Sequence, residues 1–160
     1  MDTKLQKKKI KRLFVDAKIR DLREEELDDL IKLCKKHAKY ENSELTLKKQ
    51  DLKEAIFDKN IVKCKVAVFN NKIIAYTTYI KQFSTWDAKF YLYMDCLYVR
   101  KKFRGKGLGK TFIQELKEEA KKLNCDLIQW QTPISNKKAV TFYKKMKASS
   151  KEKIRFFLKP

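Results

Sequence analysis

Glycine occurs three times in the 160 residues, and all three copies fall within Arg104-Gly105-Lys106-Gly107-Leu108-Gly109-Lys110. An average composition would supply about eleven. A chain that does without glycine at its turns and concentrates it here asks something special of this backbone. Either φ must be positive, or a ligand must approach the main chain with no Cβ in the way. An apolar run from Tyr91 to Val99 precedes the stretch. Phe112, Ile113, Leu116, Ala120 and Leu123 follow it at helical spacing. The pattern reads as strand, glycine turn and helix N-terminus. Unpaired N–H groups and the positive end of the helix dipole meet there, which makes an anion site, best suited to phosphate. Arg104, Lys106 and Lys110 add positive charge. The competing reading is a tight turn with incidental charge.

Composition narrows the field. The length fits one domain, residues 1–160, with a real core; residues 1–8 read as a basic tail. No apolar run is long enough to span a membrane, and the lysine-rich segment Met1 to Arg12 lacks the apolar stretch of a secretory signal. Cys34, Cys64, Cys96 and Cys125 are scattered and His37 is the only histidine, so neither a metal site nor a disulfide framework is expected. A reducing cytoplasm is the natural compartment. The net charge of +20 raises the question of nucleic acid. Thirty-four of the forty basic residues are lysine and they run along the whole chain, whereas a nucleic-acid reader favours clustered arginine. A compositional origin fits better, so nucleic acid is not an expected partner. A basic nucleic-acid- or ribosome-associated protein stands as the competing class.

In chain order, a first strand is expected at Leu13–Ile19 and a helix at Glu24–Tyr40, with Leu27, Leu30, Ile31, Cys34 and Ala38 on one face. A second helix covers about Leu47–Asp58. Val62–Phe69 alternates as a strand with one partly polar face, turns at Asn70-Asn71 and returns as Ile73–Phe83. Lys89–Val99 feeds the glycine turn. A strand at Asp126–Thr132, a helix at Asn136–Met146 and a closing strand at Ile154–Leu158 complete the chain. Hairpins come first and βαβ units later, which argues an α/β protein (α+β) with a mixed, mostly antiparallel sheet and helices on both faces.

The turn fits neither familiar nucleotide loop. Walker A would put its leading glycine at Arg104, and the dinucleotide fingerprint misses by one residue. What fits is [QR]-x-x-G-x-[GA], with Arg104, Gly107 and Gly109. Further segments follow the same order: Met94-Asp95-Cys96-Leu97-Tyr98-Val99 just before the turn, and Asn136-x-x-Ala139-x-x-Phe142-Tyr143 after it. Together they resemble the GNAT superfamily of N-acetyltransferases over about residues 12–158. Phe83-Ser84-Thr85-Trp86, Ala38-Lys39-Tyr40-Glu41 and Arg155-Phe156-Phe157 resemble its diamine (polyamine and thialysine) branch. Two departures stand out. Lys147 occupies the place of a helix-ending glycine, and Cys96 that of a second acid beside Asp95.

The resemblance implies acetyl transfer from acetyl-CoA to a primary amine of a small molecule by direct attack, with no covalent enzyme intermediate. It implies that Leu97, Tyr98 and Val99, the turn from Arg104 through Gly105, Lys106, Gly107, Leu108 and Gly109 to Lys110, and Asn136 hold the cofactor. It implies Tyr143 as general acid, with an ordinary pKa near ~10 that keeps it protonated at neutral pH. Asp95 is implied to orient the amine, with Tyr40, Glu41, Gln129, Trp130 and Gln131 on the acceptor side. A homodimer is implied too. Each residue has a plainer alternative. Tyr143 and Trp130 could be core aromatics, Asp95 a polar group at a β-bulge, and Cys96 a small buried hydrophobe. For His37 no partner is apparent, and it is expected to pack or face solvent. A peptide or protein amine remains open as acceptor.

Overall fold

The computed structural model describes residues 17–160. Five strands form one sheet in sequence order: β1 (Lys18–Asp21), β2 (Lys63–Phe69), β3 (Lys72–Ser84), β4 (Lys89–Val99) and β5 (Ile128–Gln129). Neighbours are antiparallel except β4 and β5, which are parallel. The mostly antiparallel mixed sheet expected from the sequence is therefore present. Most of the strand expected at Leu13–Ile19 lies outside the described residues, and β1 occupies Lys18–Asp21.

Helices cover both faces. On one side, α1 (Leu27–Tyr40) follows a short 3₁₀ turn at Glu24–Glu26, and α2 (Lys49–Lys53) runs on as a π-helical turn, Glu54–Asp58. Leu27, Leu30, Leu33 and Ile56 pack there against Cys64, Val66, Ile73, Tyr76 and Tyr98. On the other side, α3 (Leu108–Lys122) lays Leu108, Phe112, Ile113, Leu116 and Ala120 on Ala67, Ala75, Leu92 and Met94. The final helix, α4 (Lys137–Lys145), adds Tyr143, with Met146 just past its end, to that same cluster. This two-sided cover corrects the expectation of a partly polar face on β2. Cys64, Lys65, Val66 and Ala67 are all buried. Lys65 is tolerated because its ammonium reaches Asp21 at 3.1 Å and Glu119 at 3.7 Å.

Asparagine does the work that glycine does elsewhere. Asn70 (φ 49°) and Asn71 (φ 57°) make the β2–β3 turn with both central residues left-handed. Asn42, Asn60 and Asn124 hold the same conformation just beyond helix ends. Lys147 does so too, at φ 62°, in the place where a glycine was missed.

Two strands fall short of expectation. The segment Asp126–Thr132 pairs only through Ile128 and Gln129, opposite Leu92 and Tyr93. No strand forms at Ile154–Leu158, where Ile154, Phe156, Phe157 and Leu158 stand at least 80% exposed. Between Met94 and Cys96 the register of β4 with β3 shifts, leaving Asp95 as the extra residue of a bulge. Pairing with β5 stops just before that bulge.

Candidate functional site

Beyond the bulge, β4 keeps β3 on one side and has no strand on the other. The bond from Arg100 N to Ile74 O (3.0 Å) sets the phase of the ladder. Alternation then turns the main-chain groups of Leu97 and Val99 away from β3, toward the open edge. Val99 O is already used there, accepting from Arg104 Nε at 2.7 Å. Tyr98 faces the other way. Its main chain pairs with Tyr76 and its ring is buried on the α1 side, so it builds the wall of the site.

The chain leaves β4 through a 3₁₀ turn, Lys101–Phe103, and enters the glycine stretch. Gly105 (φ 72°) and Gly107 (φ 93°) are left-handed, and a Cβ added to either would meet open space. These glycines relieve no internal crowding; they give a left-handed backbone and leave its outer side clear. Gly107 is the N-cap of α3 and contributes no side chain, so no capping bond satisfies the first turn. The first N–H of the helix to find a backbone carbonyl is Thr111, to Gly107 O at 3.0 Å. The preceding donors, Leu108, Gly109 and Lys110, are available to an anion. Gly109 serves differently: a Cβ there would lie 3.0 Å from the Phe142 ring of α4. Leu108 belongs to the core and Lys110 is exposed, while Lys106 donates from Nζ to Lys102 O at 3.1 Å. This open, donor-lined backbone fits the diphosphate of acetyl-CoA, and the bare edge at Leu97 and Val99 fits its amide-bearing arm.

Arg104 is turned away from the helix N-terminus. Its guanidinium lies 4.0 Å from the centre of the Tyr40 ring and 5.2 Å from that of Tyr98. It joins the glycine turn to the end of α1.

On α4, Asn136 Oδ1 accepts from Ala139 N at 3.2 Å as the N-cap, and its Nδ2 keeps two donors for a ligand. Two turns on, Tyr143 packs against Trp130 (4.9 Å) and Phe142 (5.1 Å). Among the described residues its hydroxyl has no hydrogen-bond partner, and burial, helped by the charge of Glu41, pushes its pKa up to about 12. Glu41 sits just past α1, on the opposite face of the sheet from α4. Its field reaches Tyr143 across the splay between β4 and β5.

The expected residues thus divide. Tyr143, Glu41, Trp130, Tyr40 and the bulged, exposed Asp95 gather around the open edge of β4. Gln131 is exposed and engaged by Arg155, and Gln129 is held in β5. Cys96 is half-buried, its thiol pushed up to about 12 chiefly by burial, so it stays protonated and unreactive.

His37 is where sequence reasoning fell short. It is built into the site, with Nδ1 2.9 Å from Tyr76 Oη, Nε2 3.4 Å from Glu41 Oε1, and its ring stacked on Tyr98 at 5.0 Å. The only signal in the sequence was its position four residues before Glu41 on a helix. No described helix is long and apolar enough to cross a membrane, and the described residues contain no cluster of metal ligands.

The model of the Acetyltransferase (GNAT) family matches residues 19–147, and the chain belongs to that family. It is 26% identical to thialysine N-epsilon-acetyltransferase of Mus musculus over 142 residues, 82% of this chain and 83% of the mouse protein. The Sus scrofa protein of that name is 26% identical over 141 residues, 81% and 82% of the two chains. Among solved structures, an integron cassette protein of V. cholerae superposes with a TM-score of 0.72 at 28% identity, covering 88% of this chain and 92% of that one. An aminoglycoside acetyltransferase from an uncultured soil sample gives 0.74 at 20% identity, with 90% and 95% covered; at that identity the likeness is one of fold.

Proposed function

We propose that the protein moves an acetyl group from acetyl-CoA to a primary amine of a small molecule by direct attack. Tyr143 is the observation that carries the reading: a tyrosine packed on Trp130, its hydroxyl without a partner among the described residues and kept protonated by burial. Acetyl-CoA supplies the activated acetyl thioester. The N–H groups of Leu108, Gly109 and Lys110 and the left-handed Gly105 and Gly107 hold its phosphates; Leu97, Val99 and Asn136 hold its arm. Asp95, re-aimed by the bulge, orients a cationic amine. As the N–C bond forms and the C–S bond breaks, Tyr143 gives its proton to the departing sulfur. No side chain is acetylated, so no nucleophile is needed. The names of the thialysine and aminoglycoside enzymes support a small-molecule acceptor.

The test is an acceptor screen that follows thiol release from acetyl-CoA, with thialysine, spermidine, aminoglycosides and basic peptides as acceptors. Turnover of a small amine is expected. Turnover restricted to peptides would move the protein to the other acceptor class.

We also infer a homodimer, supported by the exposed apolar side chains Ile154, Phe156, Phe157 and Leu158. Sedimentation should give twice the 19.2 kDa chain mass. Four free cysteines agree with a reducing cytoplasm.

A further inference from the structure

His37 has no part in the reaction as described above, yet it is one of the most completely partnered polar side chains around the site. Behind it, on β3, Tyr76 is 2% exposed, and burial drives its phenol far above the usual range, so Oη keeps its proton. In front of it, Glu41 retains 29% of its side-chain exposure, against 14% for His37. Tyr98 of β4 covers one face of the imidazole.

The charges that face the ring come from three elements. Glu41 lies on its own helix, Asp95 on β4 and Arg104 on the glycine turn. Burial is the largest influence and pulls His37 below its ordinary value; Glu41 opposes that, Arg104 reinforces it and Asp95 opposes it. With a neutral imidazole and a protonated phenol, one arrangement satisfies every group. Tyr76 Oη–H donates to Nδ1 at 2.9 Å, which leaves the proton on Nε2, directed at Glu41 Oε1 across 3.4 Å as a longer electrostatic contact.

We propose that His37 is a positioning residue that fixes Glu41 as the carboxylate receiving the acceptor amine's proton. The proposal rests on the acetyltransferase reading and deepens it. The acceptor ammonium gives one proton to Glu41, becoming a neutral nucleophile, and Glu41 returns that proton to water through its exposed side; the second proton, lost from nitrogen once the N–C bond has formed, replaces the one that Tyr143 gives to sulfur. No oxidant or co-reactant enters. Asp95 and Glu41 then divide the labour: Asp95 grips the cation, while Glu41, placed by His37, takes the proton.

The experiment compares wild type, His37→Leu, His37→Gln, Tyr76→Phe and Glu41→Gln with the best amine from the screen, between pH 5.5 and 9. Misplacing a reacting group by about 1 Å can cost ~100-fold, so His37→Leu should lose roughly 10- to 100-fold in kcat/KM for the amine. KM for acetyl-CoA should hold within about twofold, since the glycine turn is untouched. His37→Gln, whose amide can still donate to Glu41, should recover most of the activity. Tyr76→Phe should fall between them. Adding His37→Leu to Glu41→Gln should cost little more than Glu41→Gln alone, as expected of groups acting as a unit. Once His37 takes up a proton its Nδ1 can no longer accept from Tyr76, so wild type should lose rate at the acid end of the range, below the ordinary histidine value, and His37→Gln should lack that limb. A His37→Leu enzyme with wild-type kinetics at every pH overturns the proposal. So does a His37→Gln enzyme as impaired as His37→Leu, which would mark a packing role. Wild type that binds acetyl-CoA but releases thiol with no amine overturns the acetyltransferase reading itself, and the proposal with it.

Discussion

At the turn from Arg104 to Lys110 the groups offered to a ligand are main-chain N–H, contiguous in sequence and fixed by two left-handed glycines. At the end of α1 they are side chains drawn from α1, β3, β4 and α4, held by one another. The first kind of site reads only the charge and reach of its ligand, because every residue has the same amide. The second reads chemistry, because its donors and acceptors differ residue by residue. Two expectations follow: damage to the turn should be felt by the acetyl donor, and damage to the cluster by the amine and the proton.

The sharpest break of that division is Gly107→Val. At φ 93° a β-branched residue is badly strained and its Cβ fills the open side of the turn, so the rise in melting temperature given by acetyl-CoA should vanish. A variant that still folds by circular dichroism and keeps the full ligand-induced shift would remove the turn from the site. Next in size is Tyr143→Phe, which keeps the ring against Trp130 and Phe142 and removes the proton. Loss of a general acid predicts a fall of roughly 10²–10⁴ in kcat, with acetyl-CoA affinity unchanged by calorimetry. Asp95→Asn should raise KM for a cationic amine by about tenfold and leave KM for acetyl-CoA alone, a charge-assisted bond being worth ~1.5–3 kcal/mol before solvent weakens it at this exposed site. The smallest effect blurs the line on purpose. Arg104→Gln removes the guanidinium that links the two regions, and both KM values should rise by roughly two- to tenfold, the scale of a cation–π contact of ~0.5–1.5 kcal/mol. If only one moves, the turn and the cluster are independent after all.

How legible each region was follows from the same contrast. The glycine turn left a mark in composition, because a backbone demand can be met by one residue type, and the demand was local. The β2–β3 turn was legible for that reason too, through Asn70-Asn71. Tyr143 and Asp95 were reached through motif order. His37 could not be read, because its partner Tyr76 lies 39 residues away on another strand and Tyr98 further still. A lone histidine carries no period. The expected strand at Ile154–Leu158 erred in the opposite sense. Its residues have strand character, but strand formation needs a neighbour, and β5 ends after two residues. Propensity was visible, and so was the β-bulge offered as the plainer reading of Asp95; the short reach of β5 was not.

Gly109 has a mechanical consequence. With the Phe142 ring 3.0 Å from where a Cβ would sit, the start of α3 bears directly on α4, one residue from Tyr143. Any side chain at 109 would act as a wedge: Phe142 would have to give way, and the proton donor would shift with it. On the function proposed above, a methyl group placed at 109 would therefore be felt at Tyr143 as well as at the turn.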